Sequence, residues 1–189
     1  MDIALPRKLR FGQGPGGATP FSYENKYERA LASNVERLVI GPTEPRTALV
    51  ERLAECLPEP FRLLYVLVVP RGGDAAAARY ETPHELTRHD VSAFLQEFAD
   101  FLECDGRHHL WVTSPETGNI VFDRHNVIYA YGPVDCFVRS LVTHGFQPGA
   151  VTLPAPHWHA YHADYDQMQR RLLARWTWGQ SPLRPSDDR

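Results

Sequence analysis

Residues 108–132, HHLWVTSPETGNIVFDRHNVIYAYG, decide the fold. Three runs rich in β-branched and aromatic residues are separated by SPETGN and DRHN, and both interruptions have the chemistry of tight turns. Strands joined so tightly run antiparallel, because a parallel pair needs a crossover of a dozen residues or more. The stretch therefore predicts an α+β fold: a single domain on a mainly antiparallel sheet of about five strands, with α-helices packed against it.

Beyond this stretch, Pro133 is placed to open a helix, where its missing N–H costs nothing. Val134, Phe137, Val138, Leu141 and Val142 make that helix's apolar face, and Gly145 ends it. Residues 150–161, AVTLPAPHWHAY, are extended but interrupted by proline, which places them at a sheet edge. A last helix is expected over 163–177, with Tyr165, Met168, Leu172 and Trp176 facing inward.

On the N-terminal side, residues 88–104 form the clearest helix. Thr87 and Asp90 have capping-box spacing, Val91, Phe94, Leu95, Phe98 and Leu102 line one face, and Gly106 follows as a stop. FRLLYVLVVP, residues 61–70, suits an interior strand, and RYETP, 79–83, a short returning one. Leu49, Val50, Leu53 and Leu57 stripe a helix that Thr43 can cap. In residues 24–39, Tyr27, Leu31, Val35, Leu38 and Val39 fall at helical spacing, which predicts a helix stopped by Gly41-Pro42. The resulting plan is an irregular arm over 1–22, one domain over 23–178 and a flexible tail over 179–189.

Composition narrows the classes. A net charge of −3, with 18 Arg and 2 Lys scattered along the chain, gives no electrostatic footprint for nucleic acid or a membrane surface. Cys56, Cys104 and Cys136 are odd in number and never in a CxxC pair, so they read as reduced, mostly buried thiols. The N-terminus lacks the apolar core of a signal peptide, and the longest apolar run is too short to span a bilayer. The expectation is a soluble, cytoplasmic protein.

The densest chemistry lies in PHWHAYHADYD, 156–166. In an extended segment His157 and His159 share a face about 6.5 Å apart. Two imidazoles so placed can chelate a cation, with Asp164 as third ligand. Aspartates here also suit the first turn of a helix. In FDRHN, 122–126, Asp123 can orient His125 as a general base, although Asp and Asn also serve a turn.

Other motifs carry less. HELTRH, 84–89, spaces its histidines five apart, about 140° around a helix, where a zincin needs four. FGQGPGG, 11–17, loses a backbone donor at Pro15 and has no Gly-Lys-Ser/Thr after it. There is no Gly-x-Ser-x-Gly elbow, Cys136 and His144 are too far apart to pair, and His108 and His109 face opposite ways. Trp111, Tyr129, Tyr131, Trp158 and Tyr161 would form an amphipathic recognition patch if they gathered on one exposed face.

The leading expectation is thus a non-catalytic accessory module of bacterial, immunity-like type. It needs no cofactor and binds a protein partner through the sheet edge and these aromatic residues. The alternative is a metal-dependent hydrolase-like enzyme holding zinc or manganese through His157, His159 and Asp164, with Asp123 or His125 as base. A small-molecule binder is the third reading.

Overall fold

The structure, a computed structural model, describes residues 7–13, 17–71, 73 and 75–187. Parts of the expected arm (1–6 and 14–16), of the loop after the interior strand (72 and 74) and of the tail (188–189) lie outside the described residues. The elements begin with β1 (Leu9–Phe11), β2 (Thr19–Pro20), β3 (Lys26–Ala32), β4 (Val35–Gly41) and α1 (Thr47–Ala54). Next come β5 (Arg62–Leu67), β6 (Ala78–Glu81), α2 (Arg88–Glu97), α3 (Ala99–Cys104) and β7 (His108–Ser114). They continue with β8 (Gly118–Phe122), β9 (Ile128–Tyr131), α4 (Val134–Thr143) and β10 (Gln147–Pro148). The last are β11 (His157–His159), a 3-10 turn at Ala163–Tyr165, α5 (Asp166–Ala174) and β12 (Gly179–Ser181).

Among the described residues these strands make two sheets. The larger has nine strands in the order β10-β3-β4-β9-β8-β7-β5-β6-β12, and the smaller is β11-β1-β2. The α+β class stands, but the main sheet is wider than the expected five strands. It is also mixed, because β10 runs parallel to β3 while the other pairs are antiparallel. Of the four extra strands, β3 and β4 come from the stretch expected to be a helix, and β10 and β12 are two and three residues long, too short to leave a hydrophobic period.

Three sequence expectations are corrected here. Residues 24–39 form the β3–β4 hairpin instead of a helix. Ser33 and Asn34 both have positive φ, 50° and 69°, which is the two-residue turn that matches strand twist. Cys56 and Cys136, read as reduced, are a disulfide with Cα atoms 5.8 Å apart, leaving Cys104 as the free thiol. The stretch read as a flexible tail joins the sheet edge through β12, and Asp187 reaches the interior to pair with Arg79 at 2.6 Å.

Elsewhere local chemistry and structure agree. The Thr87 capping box is present in both directions, so Asp90 carboxylate and Thr87 hydroxyl each accept a backbone N–H. The helix it opens is broken at Phe98 into α2 and α3. α1 starts at Thr47 instead of after Thr43, with Pro45 intervening.

Strand alternation divides the main sheet into two unlike faces. One face presents Leu38 and Ile40, Leu63 and Tyr65, Leu110 and Val112, Ile120 and Phe122, Ile128 and Ala130; all belong to the main core. Phe94, Phe101, Phe137 and Leu172 from the helices pack onto this face. The other face presents Arg37, Trp111, Val121, Tyr129 and Tyr131, which line an open cleft. Among the described residues no helix is long and apolar enough to cross a membrane.

Candidate metal centre

The site forms where the β8–β9 turn meets the small sheet. Asp123 shapes that turn. Its Oδ1 accepts the backbone N–H of His125 and of Val127, both at 2.8 Å, and Asn126 takes the positive φ of 62°. Its Oδ2 accepts the Nδ1–H of His125 at 2.9 Å, which leaves Nε2 of that ring with its lone pair free. Tyr23 Oη donates to the His125 carbonyl at 3.0 Å, so the residue is held from three directions.

β11 brings the other two histidines. It pairs antiparallel with β1, matching Leu9 to His159 and Phe11 to His157, and both imidazoles leave the strand on one side. The Pro154 carbonyl accepts from His157 Nδ1 at 3.0 Å, again freeing Nε2. The buried Nδ1 of His159 has no hydrogen-bond partner. The small sheet is seated on the domain by Gly106, whose N–H donates to the Ala160 carbonyl at 2.9 Å. A Cβ at Gly106 would stand 3.1 Å from His159 Cβ and 3.0 Å from the Lys8 carbonyl, so only glycine fits without pushing the histidine.

The three rings converge. Their centroids lie 4.9 Å (His125–His159) and 5.3 Å (His125–His157 and His157–His159) apart. One nitrogen from each lies within 4.8 Å of the other two. Three points so spaced all fall within roughly 2.8 Å of a common centre, against about 2.0–2.1 Å for a Zn–N bond. Small side-chain rotations cover the difference, so the group could hold a metal ion. His159 is neutral as this requires. Burial first, then the charges of Arg124, His125 and His157, push its pKa down to about 3. Asp123 is fully buried, which by itself raises a carboxyl pKa. The hydrogen bond and charge of His125, with His109 and Lys8, outweigh burial and hold it below the ordinary value.

Asp164, expected as third ligand, lies exposed on the 3-10 turn and is not in the converging group; His125 takes that place. Asp123 does orient His125, but within a would-be ligand set. Of the aromatic residues, Trp111, Tyr129 and Tyr131 share the cleft, whose volume is about 470 Å³ and whose wall includes His125 and Asp123. Tyr161 stacks parallel to His159 with centroids 6.4 Å apart and accepts from Arg124 at 3.0 Å. Trp158 points away from both histidines of its strand. His108 is packed against Tyr65 and Phe101, while His109 bonds the Asp187 carbonyl at 2.8 Å, so the two do face opposite ways.

Lys8 escaped sequence reasoning because it belongs to an apparently irregular arm. It is fully buried, donates to the Leu102 carbonyl at 3.1 Å and sits 3.4 Å from the Phe122 ring centroid. Burial, only partly offset by the charges of Asp123 and Glu103, lowers its pKa from 10.5 to about 7. Between those values the unfolded chain binds a proton that the folded chain lacks, so stability rises with pH. Lys8→Met is expected to gain a few kcal/mol over wild type at pH 7. That advantage should shrink by about 3 kcal/mol by pH 9.5 in urea titrations. A pH-independent difference would remove Lys8 as the cause.

Comparison of the chain with protein-family models, with curated proteins and with solved structures returned no match.

Proposed function

We propose that this protein is a metal-dependent hydrolase-like enzyme in which His125, His157 and His159 hold one divalent ion, zinc in preference to manganese. The observation that carries the reading is the convergence of one nitrogen from each ring to within 4.8 Å, two of the rings being oriented through Nδ1 by Asp123 and the Pro154 carbonyl. Imidazole donors suit zinc better than manganese. Three protein ligands leave a fourth position for water, the arrangement of catalytic zinc sites. A zinc ion held there would supply Lewis acidity and an activated water for hydrolysis at a carbonyl or phosphoryl centre. Arg124 and Tyr161 stand beside His159, where they favour negative charge developing on a bound substrate.

The protein-interaction reading rests on the aromatic residues, and their position supports it less. Trp111, Tyr129 and Tyr131 are recessed in a concavity of small-molecule size, not spread over a flat patch. The Cys56–Cys136 disulfide favours an oxidising compartment over the cytoplasm.

Elemental analysis of tag-free protein is the test. The reading expects close to one zinc per chain, lost in His157→Ala/His159→Ala. Asp123→Asn should weaken binding by about 10–100-fold while the ligands stay in place. Absence of metal, with no thermal shift on adding zinc, sinks the reading.

A further inference from the structure

The cleft on the helix-free face of the main sheet has a chemistry of its own. It begins at His125 and Asp123 and continues past Val121 and Tyr129 to Tyr131 and Arg37. Strand register gives its length. Val127, just before β9, and Tyr131, which pairs with Arg37 at its end, are four residues of extended chain apart, or about 13 Å. Two of the cleft's charges are already balanced: Asp187 by Arg79 at 2.6 Å, and Asp123 by His125 and two backbone N–H groups.

Arg37 is different. Its guanidinium lies 4.5 Å from the Tyr129 ring centroid and donates to Tyr131 Oη at 2.8 Å. Its Nε is buried without a partner, and among the described residues no carboxylate forms an ion pair with it. A cation held by aromatic faces at the end of a concave groove, without a counter-ion, is complementary to an anionic group on a ligand. The groove floor of Trp111 and Tyr129 is complementary to a flat apolar body.

We infer that the groove binds an organic carboxylate with an aromatic body, its carboxylate on Arg37 and its ring against Trp111 and Tyr129. The far end then reaches His125, one member of the three-histidine group. This rests on the hydrolase reading above and gives it a substrate class: aryl carboxylates carrying an ester or amide about 10 Å from the acid. Water supplies the oxygen that bonds to the carbonyl carbon, the C–O or C–N bond breaks, and the leaving group departs with a proton. No other reactant is needed.

Isothermal titration with 3-phenylpropanoate and its uncharged primary amide tests the assignment. The acid should bind wild type about tenfold more tightly than the amide. Arg37→Gln should bind both alike, and Arg37→Lys should keep part of the preference. The zinc-free His157→Ala/His159→Ala variant should also keep it, because the carboxylate rests on Arg37 and not on metal. Loss of the preference in that variant, its survival in Arg37→Gln, or no binding to wild type overturns the groove assignment. None of these touches the zinc stoichiometry, so the metal reading stands or falls separately. Conversely, a chain that retains no zinc but keeps the Arg37-dependent preference upholds the anion site and overturns the metal reading alone.

Discussion

Asp105→Ala is expected to lower stability by about 3–5 kcal/mol, the range for stranding one partner of a buried ion pair. Both Asp105 and Arg107 are fully buried. Asp105 Oδ1 accepts the backbone N–H of Arg107 at 3.1 Å and its Nε at 2.8 Å. Without it, among the described residues, the Arg107 guanidinium keeps Asp166, at 2.9 Å and 30% exposed, as its one carboxylate partner. The same substitution reaches the candidate metal centre. Asp105 Oδ2 accepts the backbone N–H of His162 at 3.0 Å, and that contact anchors the chain just beyond His159. Urea unfolding and zinc affinity should therefore fall together. Asp105→Ala/Arg107→Met, which removes both charges, should recover part of the stability. A single-variant cost below about 1 kcal/mol, an ordinary surface-pair value, would show that the pair is not a brace.

Opening the Cys56–Cys136 disulfide is expected to cost about 4 kcal/mol. The bridge spans 80 residues, and closing a loop of that length removes entropy from the unfolded chain in this amount. It ties the end of α1 to the first turn of α4, both of which cover the same side of the sheet. At 2–4 °C per kcal/mol for a chain of this size, reduction or Cys56→Ser/Cys136→Ser should lower Tm by about 10 °C. Thiol alkylation under native, non-reducing conditions should modify at most Cys104. Equal melting with and without reductant would refute the bridge's contribution.

How far the sequence was readable depended on the range of each signal. The β7–β8–β9 meander, the Thr87 capping box and the helix after Pro133 are local, and their residues announce them. In the β3–β4 hairpin, Tyr27, Leu31, Val35 and Leu38 satisfy a helical period by coincidence, which hides the strands. The informative signal was Ser33-Asn34, a pair tolerant of positive φ, followed by strand-like VERLVI. The disulfide left no local trace, since what matters is that α1 and α4 become neighbours. The metal centre was half legible. Spacing marks out His157 and His159, while a hairpin end marks out His125 separately. The three come together through the seating of the small sheet on the domain, where the Gly106 N–H meets the Ala160 carbonyl. Asp164 is nearer to His157 and His159 in sequence than His125 is, which in a folded chain is a poor guide to closeness.

The histidines belong to different sheets, His125 to a turn of the nine-stranded sheet and the other two to an edge strand of the small one. An ion bound among them would add a cross-link between the two sheets. Such an ion would close a loop from His125 to His159 much as the disulfide closes one on the helical side, and the domain would then be fastened twice, once by sulfur and once by metal. Chelation should be felt as a hinge coming undone: amide exchange would quicken across β1 and β11 while the centre of the large sheet keeps its protection.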